Sequence, residues 1–139
     1  MANNTSTQLK DEDYQRLLEL KTGLKHYLRW GEHAAKGSGI TPAQHELLLA
    51  IKGYPGQQGP SISNVAEHLL LRHHSAVGLV DRAEKAGLIT RKSDNDDRRV
   101  VRLRLSPKGN RILEKLSALH HEELTRLSQK GQSLWKGIE

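Results

Sequence analysis

SISNVAEHLLLRHHSAVGLVDRAEKAGLITRKSDNDDRRVVRLRL, residues 61–105, is the stretch whose reading decides the fold. Ile62, Val65, Ala66 and Leu69 fall at i, i+3, i+4 and i+7, and Ala76, Leu79, Val80 and Ala83 repeat the pattern. Each segment is therefore a short helix with one apolar face, and the two faces must pack together. After Gly87 the period changes to two: Val101, Leu103 and Leu105 point one way, Val100, Arg102 and Arg104 the other. LITRKS supplies a partner strand, and DNDDRR between them is a polar turn too charged to bury, so the pair is expected to project as a hairpin.

Helix, helix, charged hairpin is the order of a winged helix-turn-helix. The expected fold class is mainly α with a small antiparallel β-hairpin. Three patterns carry a resemblance to the MarR family of bacterial transcription regulators. LVDRAEKAGLITR (79–91) resembles the family's recognition-helix end and first wing strand, DNDDRRVVRLRLSPKG (94–109) its wing, and TPAQHELLLAI (41–51) the helix before the reading head. The resemblance implies a homodimer that binds double-stranded DNA at a palindromic operator. It also implies a repressor released by a small-molecule effector held between dimerisation helices and reading head.

With Ala76, Leu79, Val80 and Ala83 turned inward, the outer arc of the second helix carries His74, Val77, Gly78, Asp81, Arg82 and Lys85. His73 and His74 can donate to guanine N7 or O6, Ser75 to a base or phosphate, and Val77 can meet a thymine methyl where Gly78 permits close approach. Arg72 suits a phosphate. Asp81 is expected to pair with Lys85 or Arg82. Ser61 reads as the cap of the first helix, and with Ser63 it stands near the positive end of that helix, where a phosphate can also bind. The chain departs from the family at Leu70, where a Gly is usual, and at Arg72, where a small capping residue is usual. In the wing, position relative to SPKG matches Arg99 to the family's minor-groove arginine, with Asp97 orienting it and Arg98 and Arg102 beside it. A solvated, self-neutralising turn is the plainer reading of the same residues.

The 139 residues suit one domain, and 35% hydrophobic content is enough for a small core. A net charge of +6 favours a polyanionic partner, and the crowding of Arg91, Lys92, Arg98, Arg99, Arg102 and Arg104 into the hairpin says where. Without cysteine there is neither disulfide nor thiol switching. No apolar run is long enough to span a bilayer and MANNTSTQ lacks the pattern of a signal peptide, so a cytoplasmic, non-membrane location is expected.

Outward from the head, Tyr14, Leu17, Leu18, Leu24 and Leu28 trace a helical stripe that Leu20, Tyr27 and Trp30 widen beyond one face. Such a helix is either an ordinary core element or, as the resemblance implies, one that also faces a second subunit. Lys36, Gly37, Ser38 and Gly39 should break it, and Thr41-Pro42-Ala43-Gln44 should open the next helix with a capping box. YPGQQGP reads as a loop with a short strand against the wing. Ser106-Pro107 opens a long helix ending near Gly131, with Leu124, Leu127, Leu134 and Trp135 available to the dimer. The organisation expected is a single domain over 1–139, with dimerisation helices at about 11–31 and 107–139 and a DNA-binding head at about 41–105.

Eight histidines invite a metal. His120-His121 with Glu122 and Glu123 is the best group, but neighbouring helical residues point about 100° apart, and exposed histidines are the better reading. No metal or cofactor is expected. No catalytic motif is visible, so an enzyme is not expected. Two alternatives stand beside the DNA-binding regulator: a metal-responsive regulator of the same fold, and a winged helix that binds protein.

Overall fold

The computed structural model describes residues 8–130. Its elements are α1 (Asp11–Gly37), α2 (Pro42–Lys52), α3 (Ile62–Leu69), α4 (His73–Lys85), β1 (Ile89–Ser93), β2 (Val101–Leu105) and α5 (Pro107–Lys130). The described residues form two compact units, one of residues 32–119 and one of residues 8–31 together with 120–130.

The unit of residues 32–119 is built on an aliphatic core. Leu47, Leu48 and Ile51 come from α2, Val65 from α3, Leu79, Val80 and Ala83 from α4, Ile89 and Leu103 from the hairpin, and Leu113 and Leu116 from α5. These are the inward positions of the helical and period-two patterns, which is why short helices of weak intrinsic stability persist here. Local capping fixes their ends. Thr41 and Gln44 bond reciprocally at the start of α2, and Ser61 and Asn64 do so at the start of α3.

Three helices end in the same bonded turn. At α1 the N–H of Ile40 reaches Ala35 O (3.2 Å) and that of Gly39 reaches Lys36 O (3.0 Å); at α4 Leu88 and Gly87 reach Ala83 O and Glu84 O (3.0 and 2.9 Å). Both glycines take positive φ, +82° and +76°, as this turn requires. At α3 the bonds Leu71 to Ala66 (2.9 Å) and Leu70 to Glu67 (3.4 Å) repeat it, but the left-handed position is Leu70, at φ 56° and ψ 43°. Leu70 is the one non-glycine residue with positive φ among the described residues. Helix α1 accordingly runs further than the sequence suggests: Lys36 and Gly37 remain helical, because one glycine does not outweigh a bonded terminal turn, and the chain turns only at Ser38 and Gly39.

The hairpin is antiparallel, with Ile89 opposite Leu105 and Ser93 opposite Val101. The loop before α3 adds no third strand to it. Leu103 N–H donates to Pro60 O at 2.8 Å, and there the pairing stops, because Pro60 has no N–H and Gly59 sits at φ +88°. After β2, Ser106 accepts from Gly109 N–H (3.0 Å) and donates to Gly87 O (2.5 Å), tying the start of α5 to the turn after α4.

In the other unit, His120 is not the exposed histidine the sequence suggested. Its Nδ1 lies 2.9 Å from Tyr27 Oη, its ring meets Trp30 edge-on at 4.8 Å between centroids, and a β-carbon at Gly31 would come 3.0 Å from its Cε1. Burial lowers the pKa of His120; burial, then the charge of Glu123, raises that of Tyr27. Tyr14, Leu17, Leu18, Leu24, Leu28 and Leu124 of this unit are exposed, and Leu127 is half-buried. Leu134 and Trp135 lie outside the described residues.

Candidate nucleic-acid interface

Helix α4 is anchored by its back. Ala76, Leu79, Val80 and Ala83 are buried, so Arg72, His73, His74 and Ser75 are left exposed at its N-terminal end, with Val77 and Gly78 half-buried and Arg82 exposed further along. The N-cap residue, Arg72, makes no side-chain cap bond. Arg72 therefore caps none of the first N–H groups of the helix, which stand at the positive end of the helix dipole, where an anion is favoured. The space above Gly78 belongs to Arg82, whose Nη1 would lie 3.1 Å from a β-carbon built there. Gly78 therefore lets the Arg82 head fold back along the helix, a role the sequence did not reveal. Ser61 is half-buried and engaged in its capping box, while Ser63 is exposed beside it.

Asp81 pairs with neither Lys85 nor Arg82. Its partner is Arg91 on β1, which also donates to Glu84 Oε1 at 3.1 Å. The extended strand brings Arg91 alongside two successive turns of α4, so one guanidinium bridges both carboxylates and fixes the helix against the hairpin. Arg91 is consequently part of the scaffold.

The turn of the wing is not simply solvated. Asp94 is buried at 8% exposure, accepting from Asp96 N–H (2.8 Å), Asp97 N–H (2.9 Å) and Arg102 Nε (2.9 Å). The backbone N–H groups of Asp97 and Asp96, then Arg102, hold its carboxyl below the ordinary value, and the same bonds make the burial of a charge tolerable. Arg102, read from sequence as outward-facing, is turned across the hairpin: it also donates to Gly59 O at 3.4 Å, and only 26% of its side chain is exposed. The Gln58 side chain accepts from Asn95 N–H (2.9 Å), so the loop before α3 braces the tip as well. Asp94 and Gln58 were missed from sequence. An Asp three residues before Asp97 in a turn was the available signal for the first, since such residues bond the backbone ahead of them.

At the tip, Asp97 grips Arg99 with both oxygens, at 3.1 Å to Nε and 3.3 Å to Nη2, and accepts from its backbone N–H at 3.0 Å. The side-chain bond with Arg99 is the main cause lowering the pKa of Asp97. The Arg99 side chain is nonetheless 90% exposed. Arg98 is exposed and belongs to no ion pair among the described residues. No three His, Asp or Glu side chains come together as metal ligands among the described residues, and no described helix is long and apolar enough to cross a membrane.

Helix, helix and braced hairpin over one core define a winged helix-turn-helix protein. Residues 38–100 match the model of the MarR family. It is 31% identical over 80 residues to the HTH-type transcriptional repressor MdtR of Bacillus subtilis (strain 168), an alignment covering 58% of this chain and 50% of that protein. Its fold matches that of a MarR family protein from Bacillus stearothermophilus with a TM-score of 0.71, at 24% identity over 88% of this chain and 84% of the other. It also matches S. aureus MepR in a complex with DNA, with a TM-score of 0.64, at 21% identity over 84% and 87% of the two chains.

Proposed function

We propose that the chain is a sequence-specific, double-stranded DNA-binding transcriptional regulator. The N-terminal half of α4 enters the major groove, where His73, His74, Ser75 and Val77 meet base edges and Arg72, with the first N–H groups of the helix, meets phosphate. Arg99, oriented by Asp97, enters the adjacent minor groove, and Arg98 meets the backbone. Ser63 and Arg82 contact phosphate, Ser61 holds the start of α3 through its cap, and Arg102 acts through Asp94 on the shape of the wing. The carrying observation is the juxtaposition on α4 of a fully buried back and an exposed cationic N-terminal end that lacks a side-chain cap.

The likeness to a protein named as a repressor and to one seen on DNA supports repression at an operator in the cytoplasm. The exposed leucines of α1 and Leu124 support a homodimer, whose two heads would read the halves of a palindrome. No catalytic role is proposed.

The test is selection from random duplexes followed by titration. The selected DNA should contain two inverted half-sites about 10 base pairs apart, or a multiple of that. The double change His73→Ala and His74→Ala should lower affinity for that DNA by about one to two decades and change random DNA little. Equal losses on both DNAs would mean that these residues only position the backbone.

A further inference from the structure

A groove of about 490 Å³ runs between α2 and the end of α3, walled by Leu49 and Ala50 on one side and by Leu69 and Leu70 on the other. None of its lining side chains is among those assigned to DNA. We infer that it is a contact between copies of this chain: two heads meet about a two-fold axis, each seating its Leu70 in the groove of the other. The contact does not depend on the DNA-binding reading; only its consequence on DNA rests on it.

Leu70 is held out into solvent. It closes α3 with a left-handed backbone, φ 56°, which a residue with a β-carbon adopts only under constraint, and its side chain is 92% exposed. Leu49, on the facing wall, is exposed as well. A projecting leucine beside an open apolar groove puts a knob and a hole on one patch, and a two-fold axis makes such a patch complementary to itself. The charges agree. Glu46 on the α2 wall is the one carboxylate of the lining, and no Lys or Arg joins it. His68 stands on the α3 wall, its ring edge-on to Tyr54 at 5.8 Å between centroids. Overlaying two such patches in opposite directions brings each α2 wall onto the other copy's α3 wall, so Glu46 of one faces His68 of the other. A foreign partner would have to supply a leucine and a donor at this spacing, whereas a second copy supplies both.

So few side chains fall short of the roughly 800 Å² per partner of a stable complex, so free molecules associate weakly here. Neighbouring operators would hold two heads at an effective concentration of about 1 mM. A contact with a Kd of about 0.1 mM then makes the second binding event about tenfold tighter than the first.

The test without DNA is NMR of the whole chain with labelled leucine methyls, diluted from about 1 mM to about 0.02 mM. The Leu49 and Leu70 methyls and the His68 ring should shift together, with a midpoint near 0.1 mM. Glu46→Lys and His68→Glu should each raise that midpoint at least about tenfold, and the double variant, which reverses the pair across the axis, should restore it. Leu70→Gly should abolish the shift at Leu49. On a duplex with two selected operators a whole number of helical turns apart, the second wild-type binding event should be about tenfold tighter. Leu70→Gly should lose that gain and bind a single operator as the wild type does. Absent shifts at about 1 mM, or two weakened single variants that the folded double variant does not rescue, would overturn the contact. If a variant at Glu46 or His68 loses its dispersed spectrum, the wild-type dilution and Leu70→Gly decide. Independent binding at the two operators would overturn the role on DNA, and failure on a single operator would count against the DNA-binding reading alone.

Discussion

Leu70 is the residue at which this chain most clearly works against local preference. Its left-handed backbone costs an L-residue about 1–2 kcal/mol, and its side chain, 92% exposed, recovers almost nothing by packing. Leu70→Gly should remove that strain, less about 0.4–1 kcal/mol for the freer unfolded chain. The net expectation is a stabilisation of about 0.5–1 kcal/mol and a rise of about 2 °C in melting temperature, measured by calorimetry. A lower melting temperature would mean that the Leu70 side chain has a partner that the isolated chain does not show. The departure at this position was legible in the sequence; its answer was not, since only the backbone reveals that Leu70 completes the terminal turn of α3. Asp94 is the converse case. Its place at the start of the turn was the local signal that it bonds the backbone ahead of it, but its burial was not legible, because that also needs Arg102, eight residues away, to cross the hairpin and meet it. Asp94→Asn removes the charge that answers Arg102 and should loosen the tip, weakening DNA binding by about tenfold while sparing the helical signal in circular dichroism. Unchanged affinity would separate the brace from the wing's function.

At the scale of elements, the helices were legible almost throughout because their apolar spacing and capping residues are neighbours in sequence. The strand pairing was legible for the same reason. What escaped was contact between elements: Arg91 bridging to α4, the bracing of the tip by Gln58, and the packing of His120 against Tyr27 and Trp30. Each needs partners brought together by the fold. The wing separates two charges that look alike in sequence. Arg98→Ala should flatten the slope of log affinity against log salt by about 0.9 of a unit, as loss of one phosphate contact does. Arg99→Ala should instead fall hardest on sites with narrow minor grooves. Both variants should melt near the wild-type temperature, since exposed charges contribute little to stability. Unchanged salt slope and affinity in both would return the tip to a solvated turn. The His120 cluster gives its unit a pH response. With its pKa below 6.5 in the folded chain, His120 stays neutral there while the unfolded chain takes up protons, so stability is lost as pH falls below about 6.5. Melting temperatures between about pH 7.5 and pH 5.5 should show this decline, and His120→Gln should flatten it. An equal decline in the variant would place the response on another group.

For the whole molecule, the exposed stripe of Tyr14, Leu17, Leu18, Leu24 and Leu28 is more apolar surface than an isolated helix ordinarily leaves open. A dimer would cover it and place two α4 helices on one duplex; light scattering at micromolar concentration should give twice the mass of the 139-residue chain. A monomer mass would leave each head with half a site. Sequence-specific reading of DNA by α4 and the wing is the claim on which these expectations converge. Its most direct test is fluorescence anisotropy of the whole chain on its selected duplex and on a shuffled duplex of the same composition, across a salt series. The account predicts at least about a thousandfold preference for the selected duplex at physiological salt, and on both duplexes a linear fall of log affinity with log salt. Equal affinity for the two duplexes, or binding indifferent to salt, would contradict it.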